Sequence, residues 1–135
     1  MGYPIDRFTK KVSSRFLCSF CRQVLQEPLM VFTKKCKHLF CKVCLDELSE
    51  CLNPNVCILD NFKFDSNSIR LPFAEFKQKY LDLMIYCRFN HSCNVSVSIV
   101  QIDEHEKLCI HNPNNFNLQI KGNESLFCFY FFRYF

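Results

Sequence analysis

The sequence contains no long apolar run and no N-terminal segment with the features of a secretory signal. Its longest apolar stretch, Leu126 to Phe132, is far shorter than the roughly 20 residues that a transmembrane helix needs, and Arg133 follows it directly. The N-terminus reaches no apolar core of signal length before the charges of Lys10 and Lys11. We therefore expect no transmembrane segment, a cytoplasmic location and reduced cysteines.

A concentrated basic surface is also missing from the sequence. The formal net charge is +4, from 17 Lys and Arg against 13 Asp and Glu, and these residues form no run of one sign. Binding of three Zn²⁺ ions through nine thiolates, as predicted below, lowers the net charge to about +1. Proteins that bind nucleic acid normally cluster their positive charge. We therefore expect no nucleic-acid partner.

Cysteine, in contrast, is abundant. The 135 residues include 11 Cys, an odd number, and most of them stand in close pairs with His at ligand spacing. Such spacing favours metal binding over a disulfide framework. Domains below about 60 residues bury little apolar surface and often depend on metal ions for stability. The sequence thus predicts a small α+β fold of zinc-stabilised modules.

Four close pairs of potential ligands lie between residues 18 and 60. In chain order they are Cys18 and Cys21, Cys36 and His38, Cys41 and Cys44, and Cys57 and Asp60. If consecutive pairs shared an ion, the chain would form two independent zinc sites that do not interlock. The single-residue gap in Cys36-Lys37-His38, with Cys-x2-Cys pairs on both sides, is instead typical of the interlocked RING cross-brace, in which alternate pairs share an ion.

The cross-brace assigns four ligands to each of two zinc ions. The first set is Cys18, Cys21, Cys41 and Cys44; the second is Cys36, His38, Cys57 and Asp60. Zinc accepts carboxylate oxygen, so Asp60 is chemically suitable as the last ligand. Cys51 is an alternative to Cys57, but it lies on a predicted helix at the wrong spacing. Because protein groups fill every position, we expect structural zinc, no activated water and no catalytic residue.

A second module runs from residue 87 to residue 109. Its ligands are Cys87, Cys93, His105 and Cys109, in the order Cys-x5-Cys-x11-His-x3-Cys. A strand and turn supply the first pair, and a helix supplies the second pair at positions i and i+4. This set predicts a third zinc ion. His91 and His111 are possible competing ligands, which we expect to be solvated instead.

Apolar spacing predicts the secondary structure around these ligands. Residues 25–32 indicate a strand or loop interrupted by Pro28, and residues 43–52 indicate a short helix that 53–55 end. After Pro72, apolar residues recur at helical spacing at Phe73, Phe76, Tyr80, Leu83 and Met84. We expect this connecting helix to pack its aromatic residues on a zinc module. A strand around residues 95–97 and a helix from about residue 103 complete the prediction.

The motifs together resemble a known family. The matching segments are Met1-Gly2-Tyr3, Arg7-Phe8, Glu27-Pro28, the Cys-x-His-x-Phe-Cys-x2-Cys of 36–44, the terminal Cys-x2-Asp, and residues 109–113. In these segments the chain is similar to RING-type E3 ubiquitin ligases that join a RING to a TRAF/SIAH-type zinc finger. The resemblance implies five segments: a lead-in at 1–17, a RING finger at 18–61, a linker and helix at 62–86, a TRAF/SIAH-type finger at 87–113 and an irregular Phe-rich tail at 114–135.

The resemblance also implies a function. A RING of this family recruits a ubiquitin-charged E2 conjugating enzyme and orients its thioester toward a substrate lysine, without a covalent ubiquitin intermediate on the ligase. The family's E2-docking positions correspond here to Phe20, Leu48 and Ile58. Two departures bear on activity: Ile58 stands where Pro is usual, and Asn61 stands where many ligases carry Arg or Lys. These departures favour the alternative of a zinc-binding adaptor that docks partners and transfers nothing.

The region that selects substrates in the family is missing from this sequence. We therefore expect the chain to be a truncated or mis-spliced product or to come from an incorrect gene model, with a genuine tail packed on the connecting helix as the alternative. The substrate, the cognate E2 and the oligomeric state cannot be derived from the residues.

Overall fold

A computed structural model of the protein describes residues 1–51 and 56–115. In chain order the strands and helices are β1 (Pro28–Phe32), β2 (Lys37–Cys41), α1 (Lys42–Cys51), β3 (Ile69–Arg70), α2 (Ala74–Leu81), β4 (Met84–Tyr86), β5 (Ser96–Ser98) and α3 (Ile102–Leu108). Single 3-10 turns occupy Ile5–Arg7, Ser14–Phe16 and Ser66–Ser68. This small α+β architecture confirms the predicted fold class. Within the described ranges, no helix has the length and apolarity needed to cross a bilayer.

The first sheet is antiparallel, with strand order β2-β1-β3. Strand β1 begins at Pro28, which pairs with Cys41 at the end of β2. The first residue of a strand is a position where proline is tolerated, so Pro28 starts the strand and does not interrupt it. Helix α1 follows β2 without a loop, which places Cys41 at the end of the strand and Cys44 in the first helical turn. The predicted end of this helix at residues 53–55 lies outside the described residues.

Helix α2 packs its aromatic residues on the first zinc module, as predicted. The Phe76 and Tyr80 rings stack at 5.8 Å, and Phe16 packs 5.2 Å from Phe76. The buried Tyr80 hydroxyl donates a hydrogen bond of 2.6 Å to the Leu25 carbonyl. The helix ends at Leu81, so the prediction was wrong to place Leu83 and Met84 on it; Met84 opens strand β4.

The second sheet pairs β4 with β5 in antiparallel register, and α3 packs beside β5. Helix α3 carries His105 but ends at Leu108, so the prediction was wrong to place Cys109 on it; Cys109 has extended backbone just after the helix. Ile85 of β4, Ile99 just after β5 and Ile102 of α3 are almost fully buried and belong to the same core as the first zinc module. A separate small cluster surrounds Cys87, Cys93 and Cys109, with Phe89 against it. The two modules therefore share one continuous core and each also has its own metal-ligand cluster.

Residues 1–17, expected as a polar lead-in, contribute four buried side chains to this core: Tyr3, Phe8, Val12 and Phe16. Tyr3 forms an antiparallel β-bridge with Val24, and Phe8 forms another with Ile85 of β4. The segment thus contacts both zinc modules. The division of the chain into five segments stays a prediction, and the tail from residue 116 onward lies outside the described residues.

Candidate metal centres

The structure brings the twelve predicted ligands together in three groups of four. They are Cys18, Cys21, Cys41 and Cys44; Cys36, His38, Cys57 and Asp60; and Cys87, Cys93, His105 and Cys109. Within each group the ligand atoms all lie within 4.8 Å of one another. The grouping has the alternate-pair connectivity of a cross-brace. Cys57 belongs to the second group, whereas the Cys51 side chain lies outside the described part of the chain.

The separations between ligand atoms fit tetrahedral zinc. With Zn–S near 2.3 Å and Zn–N near 2.0–2.1 Å, a tetrahedron places two sulfurs about 3.8 Å apart and a sulfur and a nitrogen about 3.6 Å apart. The Sγ atoms of Cys87 and Cys109 are 3.8 Å apart, and those of Cys21 and Cys41 are 4.0 Å apart. Cys93 Sγ lies 3.5 Å from His105 Nε2. The donor sets and their spacing therefore suit Zn²⁺.

Two of the ligand pairs are held by separate backbone turns that have the same hydrogen-bond pattern. In the first, the Cys18 N–H donates to the Gln23 carbonyl at 2.8 Å and the Arg22 N–H donates to the Cys18 carbonyl at 3.0 Å. In the last, the Cys57 N–H donates to the Phe62 carbonyl at 2.9 Å and the Asn61 N–H donates to the Cys57 carbonyl at 2.8 Å. Asp60 thus occupies the position in the second turn that Cys21 occupies in the first turn.

The residue after each of these turns has left-handed backbone geometry. Arg22 has φ 60° and Asn61 has φ 57°. Asparagine adopts this region more readily than most residues, which supplies a structural reason for Asn61 at the position where the family often has a cation. Arg22 shows that arginine also adopts the conformation in this fold.

Asp60 has the hydrogen bonding of a carboxylate with one oxygen left for a metal ion. Its Oδ1 accepts a hydrogen bond from the Phe62 N–H at 3.2 Å. Its Oδ2 is buried and accepts no hydrogen bond from any described residue. That oxygen lies 3.3 Å from His38 Nδ1, close to the separation of about 3.4 Å expected for an oxygen and a nitrogen on one zinc ion. A buried unpaired oxygen is costly, so the geometry fits a cation here.

The cysteines of these groups are buried close together, which shifts their protonation. Burial raises the pKa of the Cys36, Cys44 and Cys87 thiols to about 12. A hydrogen bond from the Cys41 thiol lowers the pKa of Cys18 well below its usual value. Adjacent buried thiolates repel one another, so several can ionise together only beside a cation. Zinc supplies that charge and binds the thiolate form.

Two backbone amides also donate to cysteine sulfurs of the first group. The Cys41 N–H lies 3.3 Å from Cys18 Sγ, and the Gln26 N–H lies 3.3 Å from Cys41 Sγ. These donors stabilise negative charge on sulfur and orient it. Gly2 also packs against this group: a Cβ built on it would lie 3.2 Å from Cys41 Sγ and 2.3 Å from the Val24 carbonyl oxygen.

The third group adjoins a buried carboxylate that no sequence pattern singled out. Glu106 follows the ligand His105 and is 3% exposed. Burial alone raises its pKa, but hydrogen bonds from Arg88 and the charge of Arg7 outweigh burial, so the pKa of Glu106 lies below its ordinary value. His91 and His111 are exposed and do not belong to the group.

The three positions expected to dock a conjugating enzyme differ in exposure. Phe20 is 42% exposed, whereas Leu48 is only 9% exposed. Leu48 and the half-buried Ile58 line one small apolar depression, with a volume of about 10 Å³, between α1 and the chain after residue 55. The other residues that line it are Phe40, Leu45, Ser49, Val56, Cys57 and Phe64. Phe20 lies outside that lining, so the structure joins only two of the three positions in one depression.

Comparison with known proteins points to the same module. Residues 18–59 match the family described as zinc finger, C3HC4 type (RING finger). The E3 ubiquitin-protein ligase NRDP1 of Danio rerio is 30% identical over 115 residues, which cover 84% of this chain and 35% of that protein. TNF receptor-associated factor 5 of Mus musculus is 26% identical over 105 residues, covering 76% of this chain and 18% of the relative.

A third relative extends the same pattern. The E3 ubiquitin-protein ligase PDZRN3 of Homo sapiens is 31% identical over 116 residues, covering 84% of this chain and 10% of its own length. The similarity to all three relatives reaches well beyond the 18–59 match, and the predicted resemblance is confirmed. The chain spans about a third or less of the length of these relatives.

Proposed function

We propose that the chain recruits a ubiquitin-charged E2 conjugating enzyme and promotes ubiquitin transfer to a substrate lysine, because its residues 18–59 match the RING finger family. The RING in this proposal forms no covalent bond to ubiquitin. It holds the E2 in a geometry that favours attack by the lysine, and the rate gain comes from orientation. Relatives named E3 ubiquitin-protein ligases support the proposal.

The observation that carries the proposal is an exposed aromatic side chain beside a structural metal group. Phe20 lies between the ligands Cys18 and Cys21 and is 42% exposed, although it is a large apolar residue. The turn that holds both cysteines also holds Phe20 outward. Exposed apolar residues on a rigid support are common features of protein docking sites. Leu48 and Ile58 line a small apolar depression that does not include Phe20, and we assign this depression as the second part of the proposed surface.

We further propose that three structural zinc ions organise the two modules. In this proposal the twelve ligands fill three four-coordinate sets: four cysteines, two cysteines with a histidine and an aspartate, and three cysteines with a histidine. No position in any set remains for water, so the ions hold the chain in place and supply no chemistry to ubiquitin transfer. The chain's part in transfer is therefore the display of its docking surface in a fixed shape.

Autoubiquitination assays with a panel of E2 enzymes test the ligase proposal. The zinc-loaded chain is expected to form ubiquitin conjugates with at least one E2. Phe20→Ala is expected to lower that rate roughly tenfold or more, because truncation of an anchor residue typically costs about 2 kcal/mol or more of binding. Val100→Ala serves as the control, since Val100 is 58% exposed but lies in the second module.

The adaptor remains the second candidate, and Ile58 and Asn61 favour it. An adaptor docks partners through its zinc modules and transfers nothing. If folded, zinc-loaded protein forms no conjugates with any E2 of the panel, the ligase proposal is rejected. Binding of uncharged E2 measured by calorimetry then separates an inactive docking module from one that does not recognise E2 at all.

A further inference from the structure

The first residues of the chain form a strap, defined here as residues 2–9, that contacts both zinc modules. At one end, Tyr3 and Val24 exchange backbone hydrogen bonds of 2.8 and 2.9 Å beside the first module. At the other end, the Thr9 N–H donates to the Met84 carbonyl of β4 at 3.1 Å. The Tyr3 hydroxyl also donates to Asp103 of α3 at 3.0 Å, across 100 positions of the chain. The strap therefore joins segments that are far apart in sequence.

Arg7, in the middle of the strap, contacts both halves of the third ligand set. Its guanidinium donates to the Tyr86 carbonyl, with Nη2 at 2.6 Å and Nε at 3.1 Å, and Tyr86 immediately precedes the ligand Cys87. The same guanidinium donates to the carboxylate of Glu106, which immediately follows the ligand His105. One side chain thus connects the residue before Cys87 to the residue after His105.

Glu106 makes a second connection between the same two halves. Its Oε1 accepts a hydrogen bond from the Arg88 backbone N–H at 2.8 Å, and its Oε2 accepts from the Arg88 side chain. Arg88 immediately follows Cys87. The carboxylate of α3 therefore holds the backbone on the far side of the Cys87 ligand, and its charge has to be balanced because Glu106 is buried.

Of the two cations beside Glu106, Arg7 is the shielded one. The Arg7 side chain is 16% exposed, whereas the Arg88 side chain is 60% exposed. Water screens an exposed pair and competes for its hydrogen bonds, so a shielded partner contributes more. Arg7 is also the only one of the two that comes from outside the second module.

From this geometry we propose that Arg7 is a positioning residue for the third metal site, and that the N-terminal strap thereby sets the metal affinity of the second module. Arg7 fixes the spacing between the strand that precedes Cys87 and the helix that carries His105. Loss of Arg7 leaves a buried carboxylate paired with an exposed cation and removes one of the two connections between the halves of the ligand set. The proposal rests on the third zinc site proposed above and does not depend on ligase activity.

Cadmium-113 NMR under chelator competition tests the proposal at each site separately. The three groups carry four, two and three cysteine sulfurs, and the cadmium shift depends on the number of thiolates, so three resolved signals are expected from the cadmium-loaded chain. The variants are Arg7→Ala and Arg7→Lys. Arg15→Ala is the matched control, because Arg15 is an exposed arginine on the neighbouring 3-10 turn.

Arg7→Ala is expected to lose the three-thiolate signal at a chelator concentration about 10–100-fold lower than the unmodified chain, the range seen when groups that orient metal ligands are removed. Arg7→Lys is expected to fall between the two, since lysine keeps the charge but lacks the planar fork. The four- and two-thiolate signals are expected to stay unchanged. Arg15→Ala is expected to match the unmodified chain.

Three results would overturn the proposal. The first is equal chelator resistance of the three-thiolate signal in Arg7→Ala and Arg15→Ala. The second is loss of all three signals together in both Arg7 variants, which would mean that the strap supports the whole fold and not one site. The third is the absence of a three-thiolate signal from the unmodified chain, in which case there is no third site to position.

Discussion

Replacement of Gly2 by alanine tests whether the N-terminal strap is packed as tightly against the first zinc module as the structure indicates. An alanine Cβ at this position would lie 2.3 Å from the Val24 carbonyl oxygen, 3.0 Å from Gln23 Cβ and 3.2 Å from Cys41 Sγ. The closest of these atoms belongs to the backbone and cannot turn aside as a side chain does. Either the strap or the Gln23-Val24 backbone therefore has to move by about an ångström.

The expected cost follows from the contacts that such a shift disturbs. The shift would lengthen the two backbone hydrogen bonds between Tyr3 and Val24, which measure 2.8 and 2.9 Å. Overpacking of a tight site costs about 1–3 kcal/mol, and each weakened hydrogen bond adds about 1 kcal/mol or less. We expect Gly2→Ala to lower the free energy of unfolding by about 2 kcal/mol.

Thermal unfolding of the zinc-saturated protein measures this effect. For a chain of this size, a loss of about 2 kcal/mol corresponds to a fall in Tm of roughly 5–12 °C. Ser13→Ala is the control, because Ser13 is exposed and its side chain forms no capping hydrogen bond. A Gly2→Ala protein that melts within about 1 °C of the Ser13→Ala protein would refute the packing argument and with it the close contact between strap and Cys41.

Three further substitutions test separate parts of the structure. Tyr80→Phe leaves the buried Leu25 carbonyl without its 2.6 Å donor and is expected to cost about 1–2 kcal/mol in urea unfolding, whereas no change would mean that water replaces the hydroxyl. Asp60→Ala removes the oxygen that faces His38 and is expected to lower the zinc content by one ion per chain, measured by mass spectrometry of the native protein; an unchanged content would exclude Asp60 as a needed ligand. Asn61→Arg is expected to raise ubiquitin transfer several-fold at unchanged Tm, since Arg22 adopts the same left-handed backbone; equal or lower transfer would show that the missing cation does not limit activity.

The ligand groups and the fold class followed from the sequence because their information is local. Two residues between Cys18 and Cys21, or one between Cys36 and His38, restrict both side chains to one ion whatever surrounds them. The aromatic residues of α2 were predicted for a similar reason, since a helical period places Phe76 and Tyr80 on one face. The ends of these elements are harder to predict from the sequence. Met84 lies in a strand and not in the helix, because it pairs with Ser98, a contact that the local pattern does not contain.

The strap and the Arg7–Glu106 pair were not predicted because their contacts are not local. Arg7 and Glu106 are 99 positions apart, and nothing in the polar composition of residues 1–17 or of α3 marks either one. Because Glu106 is charged, the sequence alone suggests that its side chain faces solvent. The fold shows that it is buried. The resemblance did include Gly2, Tyr3 and Arg7, so motif similarity was the signal that could have directed attention to the strap.

Metal content per chain shows whether three zinc sites organise the chain. It is measured by inductively coupled plasma mass spectrometry on protein purified without added metal, combined with circular dichroism during chelation. We expect three zinc ions per chain and loss of ordered structure as they are removed. A content of two would contradict the third site, and a chain that stays folded after complete chelation would show that zinc does not organise it.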